Sequence, residues 1–132
     1  MSESIFKENL FEGKKVFITG GATGMGLGFA KAFLEHGADV LIASRKEENL
    51  SKAASEIKEQ TGKTLHWKMM DVRNNETVEE VAKYIKDKWD YLDVLVNNAA
   101  GNFVTPAAAM SENAWRAVID IVLDGTFRVS KA

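Results

Sequence analysis

Three glycines, Gly20-x-x-x-Gly24-x-Gly26, stand between a short apolar run, Val16 to Ile18, and a stretch whose apolar residues recur at helical spacing. That stretch carries Phe29, Ala30, Ala32, Phe33 and Leu34. Strand, glycine turn and helix together make a setting for binding the pyrophosphate of a dinucleotide. Glycines let the backbone turn tightly and come close to the phosphates, and the helix N-terminus offers free N–H groups and a positive dipole end. The spacing is not G-x-G-x-x-G, and a Gly-rich turn is often only a turn. With its flanks in place, the reading is that Gly20, Gly21, Thr23, Gly24, Met25 and Gly26 meet the phosphates.

Further along, other polar residues follow apolar runs. In sheets that bind NAD, an acidic residue about twenty positions after the glycines accepts from the ribose 2′-hydroxyl. Here that place holds Ala43-Ser44-Arg45-Lys46, with no carboxylate. An arginine suits a 2′-phosphate, which it meets with a fork of donors. Ser44, Arg45 and Lys46 therefore favour NADP(H), against the alternative of a solvated basic pair opening a helix. Asp71 is placed to accept the adenine amino group and Val72 to pack on the ring, while a turn or capping role for Asp71 is compatible with both. In Asn97-Asn98-Ala99-Ala100-Gly101 the small residues permit close backbone approach, and the Asn amides either bridge strands or hold cofactor hydroxyls.

The elements that must position these residues alternate strand and helix four times. After the glycine helix, with Gly37 as its C-cap, residues 39–43 read as a second buried strand. A helix over about 46–60 sets Leu50, Ala54 and Ile57 on one face and ends at Gly62. Residues 64–70 form a third strand, with Leu65, Trp67 and Met69 alternating against His66 and Lys68. Asn74 or Asn75 caps the next helix, whose inner face is Val78, Val81, Ala82, Ile85 and Trp89. Residues 93–97 make a fourth strand. A long loop around Pro106 follows, then a helix capped by Ser111 with Trp115, Val118, Ile119, Val122 and Leu123 inward.

Buried strands with helical crossovers imply a parallel sheet covered on both faces. Right-handed crossovers give the order 3-2-1-4, a Rossmann-like doubly wound α/β fold whose ligand lies at the carboxyl ends of the strands. Residues 1–132 read as a single dinucleotide-binding domain, with residues 1–13 a polar leader that packs Phe6, Leu10 or Phe11 on it.

Bulk properties narrow the function classes. The chain has 132 residues, 45% hydrophobic and 27% charged, in the range of ordinary globular proteins. A net charge of −2 gives no electrostatic reason to expect nucleic acid or an anionic membrane. Without cysteine there are no disulfides or thiolate metal sites, and His36 and His66 are the only histidines. No segment reaches the ~18 apolar residues of a membrane span, and a cytoplasmic protein is expected.

Thr19-Gly20-x-x-x-Gly24-x-Gly26, Asp71-Val72 and Asn97-Asn98-Ala99-Ala100-Gly101, in this order, resemble the short-chain dehydrogenase/reductase family. Within it, residues 42–46, 71–73, 97–103, 113–115 and 120–123 are similar to the 2,4-dienoyl-CoA reductases, above all Asn102-Phe103 after the Asn-Asn-Ala-Ala-Gly run. The resemblance implies that NADPH delivers hydride to the end of a conjugated 2,4-dienoyl thioester and that the dienolate is protonated to a 3-enoyl-CoA, a step of unsaturated fatty acid β-oxidation. Asn102 matches the family's active-site asparagine, a donor for the thioester oxygen. Arg73, Phe103 and Ser111 match positions that contact the acyl-CoA substrate, and the bland counterparts are a surface charge, a core aromatic and a helix cap. The full-length protein is expected to be a homo-oligomer.

Two departures stand out. Val122 occupies the place of an asparagine common in the family, and Asp124 precedes Gly125 where dienoyl-CoA reductases often have asparagine. The family's catalytic serine, tyrosine and lysine lie beyond residue 132, so this chain is expected to be the cofactor-binding part and inactive alone. Tyr84 and Lys88 have Tyr-x-x-x-Lys spacing but read as surface residues, being placed before the fourth strand. The fourth strand and the last helix are expected to lack part of their cover, exposing Trp115, Ile119, Val122 and Phe127. The alternatives are a short-chain reductase of a 3-oxoacyl thioester or a ketone, and a non-catalytic NADP-binding module.

Overall fold

Short apolar runs become the strands of one parallel sheet because both of their faces are covered. The computed structural model describes residues 5–132, so Met1–Ser4 of the expected leader lie outside the described residues. The order is β1 (Lys15–Thr19), α1 (Gly24–Glu35), β2 (Asp39–Ser44), α2 (Glu47–Thr61), β3 (His66–Met69), α3 (Asn75–Trp89) and β4 (Val94–Val96). After a loop holding a 3-10 turn at Ala107–Ala109 come α4 (Glu112–Ile119), a wide π turn at Asp120–Asp124 and α5 (Gly125–Lys131). The strands lie in the order β3-β2-β1-β4, all parallel, as the alternation predicts. Phe17 of β1 stands in register with Leu41 of β2 and Leu95 of β4.

Side chains of successive strand residues alternate between two cores. Val16, Ile18, Val40 and Ile42 pack with Ala30 and Leu34 of α1 and with Leu50 and Ile57 of α2. On the other face Phe17, Leu41 and Ala43 meet Val78, Val81 and Ile85 of α3 and Val129 of α5. The helix ends follow local chemistry. Gly62 closes α2 in the left-handed region at φ 71°, and the Asn74 side chain accepts from the N–H groups of Glu76 and Thr77 to open α3. At the amino ends of β1 and β4, the Asp93 carboxylate accepts from the Lys15 N–H at 2.8 Å.

Three expectations about side-chain direction are corrected. Met69, the last residue of the edge strand β3, is exposed, and Met70 is buried in the opposite core. Phe29 on α1 is also largely exposed. The last helix does not carry Trp115, Val122 and Leu123 inward. Trp115 precedes the π turn and Val122 and Leu123 lie within it; the buried positions are Ala114, Gly125 and Val129, while Trp115, Val122 and Phe127 are exposed, as their expected partial lack of cover implies. Val118 and Ile119 are half-buried. In the leader, Phe11 packs edge-on against Phe33 and Phe6 lies edge-on to His36, while Leu10 is exposed.

The contrast between strand and late helix sets a stability test. Ile42 is fully buried and Leu123 is 62% exposed. Ile42→Ala should cost about 2–5 kcal/mol in urea titration of the chain, and Leu123→Ala less than about 0.5 kcal/mol. Equal losses would contradict the burial pattern.

Candidate functional site

At the carboxyl ends of the strands, β1 and β4 diverge and their connections leave on opposite faces. The opening is held by side chains bonding to backbone. Buried Thr19 accepts at Oγ1 from the N–H of Asn98 at 3.0 Å and of Ala99 at 2.9 Å. In return the Asn98 amide donates to the carbonyls of Thr19 at 3.1 Å and Gly20 at 3.0 Å. Asn97 points elsewhere and donates to the Ser130 hydroxyl. The amide of Asn98 therefore bridges strands, one of the two roles open to it on sequence alone.

The glycines allow this clamp to close. Gly20 has φ +64°, and a Cβ there would lie 3.0 Å from Ala99 Cα. A Cβ on Gly26 would strike the Gly20 carbonyl and lie 2.5 Å from Asn98 Nδ2. Gly24, at φ +55°, opens α1 with free space above it. Thr23 precedes α1 in an extended conformation and makes no side-chain capping bond, and among the described residues no side chain bonds the first-turn N–H groups. Open N–H groups at a helix N-terminus are the chemistry that binds anions.

A cleft of about 470 Å³ runs across the strand ends. Gly20, Thr23, Met25 and Gly26 line it from the first turn, and Ser44, Arg45 and Lys46 from the end of β2. Asp71, Val72 and Arg73 come from the end of β3, and Asn98, Ala99 and Ala100 from the end of β4. Gly21 is absent from the lining, since it is buried against Ile42. Gly24 is absent too. Asn102 and Phe103 are exposed on the loop after β4 and do not line the cleft. Ser111 caps α4, its hydroxyl accepting from the Ala114 N–H at 3.2 Å. Tyr84 sits half-buried beneath the Lys68 ammonium and Lys88 is exposed; neither lines the cleft.

Sequence reasoning missed four lining residues, Ala43, Asn49, Met70 and Ile121. Asn49 had a usable signal, lying one helical turn beyond Arg45. Ile121 had none, because it reaches the cleft through a π turn that has no simple periodicity.

Charge in the cleft is organised around Asp71. Arg73 grips its carboxylate with Nε at 3.0 Å and Nη2 at 2.7 Å, and the Arg73 N–H adds a third bond. These bonds hold the Asp71 carboxyl below the usual carboxylate range against a partial desolvation, and Arg45 adds a smaller attraction from across the cleft. Residues read as adenine-binding and substrate-binding are thus joined in one ion pair. Arg45 itself forms no ion pair among the described residues, which leaves its guanidinium free to meet an anion. The described residues hold no cluster of His, Cys, Asp and Glu able to bind a metal, and no described helix is long and apolar enough to cross a membrane.

Comparison with known proteins agrees with this architecture. The short chain dehydrogenase family pattern matches residues 14–132. A peroxisomal 2,4-dienoyl-CoA reductase ((3E)-enoyl-CoA-producing) of Danio rerio is 39% identical over 127 residues, 96% of this chain and 42% of that protein. A Bacillus subtilis protein named "Probable 2,4-dienoyl-CoA reductase [(2E)-enoyl-CoA-producing]" is 42% identical over 121 residues, 92% of this chain and 47% of that one. The chain thus spans less than half the length of these relatives. The structure of L-sorbose reductase from Gluconobacter frateurii, complexed with NADPH and L-sorbose, is 26% identical with a TM-score of 0.84, over 92% of this chain and 46% of that one.

The Asp71–Arg73 pair has a pH signature. Because the folded-state pKa of Asp71 is depressed, the pair stabilises the fold above the ordinary carboxylate value of 3.8 and loses that effect as pH falls through the lowered one. Arg73→Ala should move the Asp71 carboxyl titration, followed by NMR, upward toward the ordinary value. An unmoved midpoint would show that Arg73 is not the cause.

Proposed function

The chain belongs to the short chain dehydrogenase family, and we propose that it is the NADP(H)-binding part of a reductase acting on 2,4-dienoyl-CoA thioesters. The observation that carries the substrate reading is the likeness to proteins named 2,4-dienoyl-CoA reductase across nearly the whole chain. The cofactor choice is supported by Arg45 and Lys46 on the cleft at the end of β2, where a carboxylate would favour NAD. In this reading the 2′-phosphate lies by Arg45, the adenine by Asp71 and Val72, and the pyrophosphate over the turn of Gly20 to Gly26. When bound, NADPH would supply a hydride to the far end of the conjugated thioester.

The charge that then develops on the thioester oxygen needs a donor, and Asn102 is assigned to it. Arg73 would meet an anionic group of CoA, which requires it to leave or share Asp71, and Phe103 would line the acyl channel. Protonation of the dienolate to a 3-enoyl-CoA is assigned to groups other than Tyr84 and Lys88, since neither lines the cleft. The 132 residues taken alone are accordingly read as inactive. A role in unsaturated fatty acid β-oxidation, a homo-oligomeric full-length enzyme and a cytoplasmic location complete the proposal. The label in the Danio rerio relative's name makes cell fractionation the deciding test of location.

Two substitutions in the full-length enzyme test the reading. Arg45→Ala should weaken NADPH by about 10- to 150-fold, the worth of a charged hydrogen bond of about 1.5–3 kcal/mol, and leave NADH nearly unaffected. Equal losses for the two cofactors would remove the 2′-phosphate assignment. Asn102→Ala should lower kcat on a dienoyl-CoA with little change in NADPH affinity. Turnover of a 3-oxoacyl thioester or ketone in place of dienoyl-CoA would overturn the substrate class.

A further inference from the structure

The π turn at Asp120–Asp124 departs from regular helix geometry beside the cleft, and two side chains bond to it: the Thr126 hydroxyl donates to the Val122 carbonyl at 2.6 Å, and Arg128 ties the turn to another loop. Arg128, on the first turn of α5, reaches back with Nη1 to the Asp120 carboxylate at 2.8 Å and the Asp120 carbonyl at 3.3 Å. The same nitrogen lies 3.3 Å from the carbonyl of Val72, in the loop after β3. That bond is long-range in sequence and joins two elements that share no strand ladder. Within the turn, the Gly125 N–H closes the wide ring onto the Asp120 carbonyl. Gly125 is buried so closely on Val72 that a Cβ would lie 2.7 Å from Val72 Cγ2. Ile121, the residue after the one Arg128 grips, lines the cleft and packs beneath Gly101.

Wide turns inside helices are rare and need local support. Shortening this one to a regular turn would rotate Ile121 by about 100° relative to α5 and take it off the cleft. The charge-assisted bond to Asp120 opposes that change, and the bond to Val72 fixes the distance between turn and loop.

We infer that Arg128 is a positioning residue that locks the wide turn onto the Val72 loop and so sets the apolar wall of Val72 and Ile121 against which the adenine end of a dinucleotide lies. This rests on the dinucleotide reading above. Arg128 does not line the cleft, and it acts through Ile121 and Val72.

The test uses two fragments of the cofactor and calorimetry on the full-length protein. Arg128→Met should weaken adenosine 2′,5′-bisphosphate about tenfold while nicotinamide mononucleotide changes less than about twofold. Arg128→Lys, which keeps a donor for Asp120 and Val72, should recover most of the loss. Adding Asp120→Asn to Arg128→Met should cost little more, because the two act as one unit. A folded Arg128→Met protein that binds the adenine fragment like wild type overturns the inference. So do equal losses for both fragments, which mark a general loosening. If Arg128→Met does not fold, Arg128→Lys and Asp120→Asn carry the test, with about threefold weaker adenine-fragment binding expected in Asp120→Asn and none lost in either overturning it. A wild-type protein that ignores adenosine 2′,5′-bisphosphate overturns the cofactor reading and this inference together. Wild-type binding with an unaltered Arg128→Met overturns this inference alone.

Discussion

The exchange of hydrogen bonds between Thr19 and Asn98 is the constraint on which the cleft depends. Where two parallel strands part, their last carbonyl and N–H groups lose ladder partners, and buried groups of that kind are costly unless paired. Thr19 supplies an acceptor for two N–H groups of the β4 end, and Asn98 supplies donors for two carbonyls of the β1 end. The strands can diverge, and open a binding space, without leaving their ends unsatisfied. The close packing of Gly26 follows from the same clamp, because a side chain there would collide with the Asn98 amide.

Around that clamp the cleft has a graded charge. Among the described residues Arg45 stands at the end of β2 without an ion pair, whereas Asp71 and Arg73 at the end of β3 satisfy each other. Among the described residues, an anion approaching the strand ends therefore meets two cations without an ion pair, Arg45 and Lys46, and a committed one, Arg73. The side chains of Asp71 and Arg73 remain about a quarter to two-fifths exposed, so the pair is screened by water and contributes modestly to stability. Its larger effect is on orientation, since the fork holds the Asp71 carboxylate in one direction.

The far wall of the cleft comes from later in the chain. The π turn delivers Ile121 to the strand ends, and its contact with Gly101 links the turn to the loop after β4. The connections after all four strands thus converge on the cleft.

Sequence alone determined the strand order, the alternation of elements and the set of residues at the carboxyl ends, because each rests on local periodicity, turn chemistry and handedness. Asn74 and Gly62 mark helix boundaries for reasons contained in a few neighbouring residues. Tertiary structure decided which polar groups face one another. Nothing in the spacing of Asp71 and Arg73 says that they pair, nor that Asn98 and not Asn97 bridges the strands. Helical spacing assigns Leu123 inward, but a π turn adds a residue to the repeat over Asp120–Asp124, and the buried positions after it are Gly125 and Val129. For the same reason Ile121 came to the cleft unannounced: its place depends on Arg128 reaching a carbonyl 56 residues away.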